Sequence, residues 1–359
     1  MTEKQLCVAV LYGGKSAEHD ISIQSGTTIC RLAGHTGFGV VPVYIDREGR
    51  WFLQTEPGGS NTRRDRVLPV PGSGRPALIS HDTGRKGLHI EFDVAFPILH
   101  GPMGEDGTLQ GLLELCSIPY AGCGVLASAA GMDKEVCKRL AQSAGVAVLP
   151  HVTLHRETWS LSAAGSAALE FGYPVFVKPL CMGSSVGITR VTEPAALETA
   201  VAKAFRYDSR VMIERGVDHA REIMCGLLGS GADCKVSVCG EIGAIAGEFF
   251  DYNAKYESAH GFDLPANIPP ETAALARDYA LKVFSAIRGE GFARADFLLD
   301  PKTGNLFFGE INTAPGFTPN SLYPQLFNAS GVSPAQAVRR LIELAAKRQN
   351  DAKLVSVTR

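Results

Sequence analysis

The sequence lacks any marked imbalance of charge. Its 35 lysines and arginines stand against 37 aspartates and glutamates, leaving −2 at pH 7 over 359 residues. That balance removes any broad electrostatic case for nucleic acid or an anionic membrane, so phosphate can be bound only by a local constellation. The N-terminal apolar run, Leu6 to Tyr12, is too short for a signal peptide or a membrane span and reads as a first buried strand. No C-x-x-C pair occurs among the nine cysteines, which are odd in number, dispersed and mostly set in apolar stretches. They are expected to be reduced core thiols of a cytoplasmic protein. Cys181 falls in a loop of interest, but no neighbouring histidine or cation is visible to lower its pKa, which argues against nucleophilic chemistry there. The chain also lacks a G-x-x-x-x-G-K-[ST] phosphate loop and a G-x-G-x-x-G dinucleotide fingerprint, and no Ser/His/Asp triad is apparent.

What is present is an ordinary mixture for a soluble α/β protein, 45% hydrophobic with 39 glycines, and too long for one simple core. Three units are expected, of α/β and α+β class: 1–131, 132–228 and 229–359. In the first, strands 6–12, 39–45 and 92–97 alternate with helices near 21–32 and 108–116 in the manner of a parallel sheet. Residues 55–87, dense in Gly, Pro, Ser and Arg, read as a surface excursion. The second carries a helix from about Met132 to Ala144, with Asp133 as N-cap, and strands near 148–154, 174–178, 187–191 and 210–215. Helices near 162–170 and 194–205 complete it. The third has strands at 234–239 and 241–248, a long polar segment from Asp251 to Pro270 suited to a lid, and helix 271–289. Two further apolar runs and helices from about Pro324 and Ser333 close the chain; the last helix is read as an amphipathic cap.

Chemistry concentrates in a few places. Arg294-Ala295-Asp296 and Glu310-Ile311-Asn312 each place two side chains on one face of a strand. Two carboxylates and an amide oxygen make a hard, all-oxygen set suited to Mg²⁺ beside substrate phosphates. An isolated Arg/Asp pair would more often be a plain structural ion pair. The following turn, Thr313-Ala314-Pro315-Gly316-Phe317, can present backbone N–H groups and favours the functional reading. Lys178 ends an apolar strand and is followed by Gly183-Ser184-Ser185-Val186-Gly187, a point charge beside a loop of backbone and hydroxyl donors. Glu18 is the one conspicuous charge of the turn after the first strand, where ligands often sit. The loop from His100 to Gly111 holds four glycines and a proline, with Asp106 expected to serve only as charge near a helix start.

In this order, these residues resemble the ATP-grasp superfamily and, within it, the D-alanine:D-alanine ligase family. The resemblance rests on Gly14-Lys-Ser-Ala-Glu18-His-Asp, His100-Gly-x-x-Gly-Glu-Asp-Gly-Thr-Leu-Gln-Gly111 and Met132-Asp-Lys134. It continues through Lys178-Pro with Gly183-Ser-Ser-Val-Gly187, Lys255-Tyr256, Arg294-x-Asp296 and Glu310-Ile-Asn-Thr-x-Pro-Gly316 with Ser321-Leu322, and so spans nearly the whole chain.

The resemblance implies an N-terminal substrate domain and two lobes that grasp ATP. It assigns Asp296, Glu310 and Asn312 to two Mg²⁺ ions, which Mn²⁺ can replace, and gives phosphate contacts to Lys134, Lys178 and Lys255. Glu214 and Val217 are implied at the adenine hinge, Glu222 near the ribose and Phe250 on the pocket wall. Glu18 would meet the ammonium of a first D-alanine and communicate with Ser184 and Tyr256, with His100 at the border of that subsite. Arg294 and the Gly316 N–H would form an oxyanion site, and Ser321 with the Leu322 N–H would hold the second substrate's carboxylate. The implied reaction is D-alanyl-D-alanine formation through an acyl phosphate, for peptidoglycan precursors, by a cytoplasmic homodimer that uses neither nucleic acid nor membrane. A D-lactate- or D-serine-using ligase, another carboxylate–amine ligase of the same superfamily, and a catalytically inactive nucleotide-binding regulator are the alternatives. Leu180-Cys181-Met182 and Arg215-Gly216 depart from the family pattern, in the lid and the hinge respectively.

Overall fold

The structure is a computed structural model that describes residues 5–59, 63–72, 75–81, 88–242 and 262–353. Its first unit is built around β1 (Cys7–Gly13), whose buried apolar run lies between β2 (Gly39–Ile45) and β7 (Val94–Pro97), parallel to both. Helix α1 (His19–His35) follows β1 across a turn that only glycine can make. Gly13 has φ +98°, and a Cβ there would lie 2.1 Å from the Ile45 carbonyl oxygen.

Beyond β2 the sheet continues antiparallel through β3 (Trp51–Gln54), β4 (Arg63–Pro69), β5 (Ala77–Ser80) and β6 (His89–Glu91), giving the order β6-β5-β4-β3-β2-β1-β7. The segment expected to be a surface excursion therefore supplies strands. Their sequence hid them because β4 is mostly charged and these outer strands bury few side chains, Val67, Ala77 and Leu78 among them. Helix α2 (Thr108–Leu115) then leads to two short helices, α3 (Val125–Met132) and α4 (Lys134–Ser143), where one was expected. Asp133 separates them and caps α4, accepting from the Glu135 and Val136 N–H groups at 3.0 Å each. The Ala, Ser and Gly of α3 give it little apolar contrast between faces, which is why the sequence pattern did not show it.

The second unit is a four-stranded antiparallel sheet, ordered β10-β9-β11-β8. It comprises β8 (His151–His155), β9 (Val175–Pro179), β10 (Thr189–Val191) and β11 (Arg210–Arg215). Helices α5 (Leu161–Phe171) and α6 (Leu197–Ala204) bury Ala164, Ala168, Leu197 and Val201 against Val175, Val177 and Val211.

The third unit is a five-stranded antiparallel sheet, ordered β14-β13-β12-β15-β16. Its strands are β12 (Arg221–Ser230), β13 (Lys235–Ile242), β14 (Phe262–Asp263), β15 (Glu290–Leu299) and β16 (Leu306–Asn312). β12, unforeseen because Gly226 and Gly229 punctuate its apolar run, is the central strand, and the division expected at 228/229 falls inside it. β13 runs unbroken through the break expected at 240 and ends at Ile242; 243–248, most of the second strand expected there, lie outside the described residues. Helix α7 (Pro270–Ala286) packs Ala276, Ala280 and Val283 on this sheet, and α4 adds Cys137 and Ala141 to the same core.

Helices α8 (Leu322–Ala329) and α9 (Pro334–Lys353) close the chain. The apolar stripe of α9, Ala337, Val338, Leu341 and Ile342, is buried with Val8, Val10, Phe96 and Phe292, so the last helix joins the first and third units into one core. All nine cysteines are free thiols. Among the described residues no helix is long and apolar enough to cross a membrane.

Candidate active site

On β15, Arg294 and Asp296 keep a small part of their side chains exposed while Ala293, Ala295 and Phe297 between and beside them are buried. Asp296 pairs directly with Glu310 across to β16, and Arg294 with Asn312, so all four side chains share one patch of sheet. A local irregularity makes this possible. The register shifts between Asp296 and Phe297, where Phe308 and Glu310 oppose neighbouring residues and Gly309 is the extra one. Simple alternation would send Glu310 to the buried face with Phe308; the bulge turns it outward while Phe308 stays in the core. Arg294 grips Asp296 with two hydrogen bonds, Nε to Oδ1 at 2.7 Å and Nη2 to Oδ2 at 2.6 Å. Lys134 Nζ lies 3.4 Å from Glu310 Oε2, and Asn312 Oδ1 accepts from the Ala314 N–H at 3.0 Å.

Glu18 stands at the N-cap of α1, yet its side chain does not cap the helix. Its carboxylate instead accepts from Ser184 Oγ, 166 residues away, and lies close to Gly101 and Gly183. Ser184 and Ser185 hold left-handed backbone, φ +49° and +58°, a conformation that serine adopts at a cost of about 1–2 kcal/mol. The loop is held from its other side by Lys134, whose Nζ donates to the Met182 carbonyl at 2.6 Å. Burial pushes the Cys181 thiol up to about 11, so it stays protonated and unreactive.

His100 is buried and both ring nitrogens are engaged. Nδ1 lies 3.0 Å from the Ala314 carbonyl, which can only accept, so Nδ1 carries a proton. Nε2 meets Ser25 Oγ at 3.1 Å, and the same hydroxyl accepts from the Phe317 N–H at 3.2 Å. His100 and Ser25 thus fix the turn that carries Gly316. Burial pulls the imidazole's pKa down, but its hydrogen bond to Glu105 and the negative charges of Glu105 and Glu18 raise it above the ordinary value overall. Burial pushes the Glu105 carboxyl up, and its bond to His100 only partly offsets this. Asp106, one residue on, merely accepts from the Met103 and Thr108 N–H groups, as expected of it.

Glu18, His100, Lys134, Ser184, Arg294, Glu310, Asn312 and Gly316 therefore line one cleft. The remaining expected residues sit around it. Ser321 is next to Gly316, its hydroxyl accepting from the Thr318 N–H at 2.9 Å, and Leu322 begins α8 with backbone N–H groups free of helical partners. Lys178, expected at the phosphates, has its Nζ 2.5 Å from Glu214 Oε2, an ion pair inside the second unit. Glu214 was expected at the adenine hinge, and its carboxylate is buried between Lys178 and Lys138. Val217 lies between β11 and β12, and Glu222 is at the start of β12. Tyr256, Lys255 and Phe250 lie outside the described residues. Sequence reading missed Lys138, Glu105 and Ser25. Lys138 had one available signal, its position one helical turn after Lys134 on the same face of α4.

A four-stranded lobe and a five-stranded lobe closing on a cleft of carboxylates, a lysine and an arginine define an ATP-grasp ligase. The chain matches the models described as D-ala D-ala ligase N-terminus, over residues 7–123, and D-ala D-ala ligase C-terminus, over 140–343. It is 43% identical to a D-alanine–D-alanine ligase A from Bradyrhizobium diazoefficiens, over 95% of each chain. The D-alanine–D-alanine ligase structure from Coxiella burnetii superposes with a TM-score of 0.86 at 31% identity, over 98% of this chain and 96% of that one. The VanG D-Ala:D-Ser ligase of Enterococcus faecalis gives 0.82 at 33% identity, over 95% and 100%. The chain belongs to the D-alanine–D-alanine ligase family of ATP-dependent ligases.

Proposed function

We propose that the protein joins two D-alanines, with ATP converted to ADP and phosphate. The observation that carries this reading is the Glu18–Ser184 contact beside Arg294, Glu310 and Gly316, which sets an anionic amino-group site next to a phosphoryl site. Glu18 would bind the ammonium of the first D-alanine, with the His100 loop at its side. The three oxygen-bearing side chains of Asp296, Glu310 and Asn312 fit Mg²⁺, because their hard oxygens share one face of the sheet. Bound there, Mg²⁺ would neutralise the charge of the ATP phosphates.

Lys134, Lys178 and, by family likeness, Lys255 would contact phosphates, with Glu214, Val217, Glu222 and Phe250 around the nucleoside. ATP phosphorylates the first carboxylate, and the second amine then attacks the acyl phosphate. Arg294 and the Gly316 N–H would stabilise the oxyanion formed in that attack. Ser321 and the Leu322 N–H would hold the second carboxylate. The Ser184 loop excludes water from an intermediate that hydrolyses readily. Three domains, a homodimer and a cytoplasmic place complete the proposal.

ADP release measured with D-alanine, D-serine, D-lactate and L-alanine tests it. Turnover with D-alanine and formation of the dipeptide are expected; no D-alanine-dependent ADP would overturn the reading. The D-Ala:D-Ser relative makes preference for D-serine as second substrate the one alternative with a specific observation behind it.

A further inference from the structure

Lys138 has no part in the proposed reaction, yet it is a buried cation at the junction of two lobes. Its side chain is 1% exposed, on α4, which packs on the five-stranded sheet. Its Nζ lies 2.6 Å from Glu214 Oε1, on β11 of the four-stranded sheet, and also donates to the Phe308 carbonyl of β16 at 3.2 Å. Phe308 is the residue before the Gly309 bulge that turns Glu310 toward the cleft. One ammonium therefore ties α4, the hinge end of β11 and the bulge.

Glu214 is 1% exposed and faces two lysines, Lys138 on Oε1 and Lys178 on Oε2. A buried carboxylate needs a cation, and removing its only one leaves an uncompensated charge. With two, one can leave. Lys178 is the one able to leave: its side chain is 16% exposed against 1% for Lys138.

We propose that Lys138 is a positioning residue for the nucleotide: by holding Glu214 and the Phe308 carbonyl, it keeps Glu214 paired when Lys178 turns to the phosphates. This rests on the reading that ATP occupies this end of the cleft. Without Lys138, Glu214 retains Lys178 as its sole partner and withholds it from ATP. Burial pushes the Lys138 pKa down, while the opposing charges of Glu214 keep the ion pair in place. Glu214 itself is held at about 2: burial opposes ionisation, but the charges of Lys138 and Lys178 outweigh it.

The test compares wild type with Lys138→Met, Lys138→Gln and Lys138→Arg. Two readouts are taken: the dissociation constant of Mg-ATP without amino acid, and KM and kcat for each substrate by ADP release. K138M is expected to weaken ATP about tenfold in both Kd and KM, with kcat at saturation and the KM for D-alanine within about threefold of wild type. K138R, which keeps the charge, should recover most of the loss, and K138Q should fall between. If K138M does not fold, as thermal melting shows, K138Q carries the same comparison. ATP affinity unchanged in K138M and K138Q, equal losses for ATP and D-alanine, or no recovery in K138R would each overturn the proposal. A wild-type chain that binds ATP without ligating D-alanine would sink the proposed function and leave the Lys138 inference to be judged on Kd alone.

Discussion

The cleft has two sides built by different means. On one, Arg294, Asp296, Glu310 and Asn312 project from paired strands, so their spacing is set by sheet register and by the bulge at Gly309. On the other, Glu18, His100 and Ser184 stand on turns and loops, held by side chains that reach other segments: Ser184 to Glu18, Lys134 to Met182, Ser25 to Phe317 and His100 to Ala314. On the proposed reading, the strand side holds charge rigidly where phosphates and an oxyanion would need it. The loop side is held by a few separable bonds and by left-handed serines, which suits a surface that opens for substrate and shuts over a reactive intermediate. Substitutions should accordingly act on chemistry alone in the first region and on chemistry together with local order in the second.

The largest effect expected is for Glu310→Gln on the strand side. Removing a carboxylate from the phosphate end should lower kcat/KM by about 10²–10³-fold, as loss of a single electrostatic stabiliser does elsewhere. Stability should hardly change, because its contact with Lys134 is a 3.4 Å pair at a side chain 37% exposed. Steady-state ADP release with a thermal melt checks both halves, and activity within tenfold of wild type would break the comparison. Ser184→Ala on the loop side should cost about 10–100-fold in kcat, in the range of a lost positioning group. It should also raise uncoupled ATP hydrolysis relative to dipeptide formation, because the lid loses its tie to Glu18. Phosphate released per dipeptide formed is the measurement; a strict one-to-one ratio would remove the lid's role.

Ser25→Ala sharpens the contrast further. Ser25 is buried, lies on α1 away from the proposed metal ligands of β15 and β16, and serves both His100 and the Phe317 N–H. Its loss leaves a buried backbone N–H without its partner, which costs about 1–3 kcal/mol. Chemical denaturation should show that loss, together with a several-fold fall in kcat as the Gly316 turn loosens. A destabilised S25A enzyme with wild-type kcat would show that the turn does not depend on the helix for its shape.

The same division explains what was legible in the sequence. Within Arg294-x-Asp296 and within Glu310-x-Asn312, strand periodicity alone put both side chains on one face, and the structure brings the two pairs together. What periodicity could not give was which face. Phe308 and Glu310 share parity, and only the Gly309 bulge, a tertiary feature, separates core from cleft. β12 and the outer strands β4 and β5 were likewise hidden, one by internal glycines and the others by charged strands with few core positions. On the loop side, Glu18, His100 and Ser184 were singled out as conspicuous residues and gathered only by family likeness, since nothing local encodes a contact across 166 residues. Lys178 likewise carries a partner that no local pattern encodes: a strand-end lysine beside a Gly/Ser loop reads as a phosphate ligand, and its side chain meets Glu214.

The smallest effect expected is a pH dependence confined to the loop side. Burial disfavours the charged His100, but Glu105 and Glu18 raise its pKa in the folded protein above the ordinary value of 6.5. The folded state therefore binds this proton more tightly than the unfolded state does. By linkage the resulting stabilisation is fully present below pH 6.5 and is lost as pH rises through the higher folded value. Glu105 acts in the same sense at lower pH: burial raises its pKa above 4.5, so stability falls as pH rises above that point. Glu105→Gln keeps the shape of the protonated acid while removing the charge that sustains the imidazolium. Thermal midpoints from pH 5 to pH 8 should fall with rising pH more steeply in wild type than in E105Q. A wild-type slope no steeper than that of E105Q would show that the His100–Glu105 pair holds the loop in one protonation state throughout, making the loop side as insensitive to pH as a purely backbone-built site.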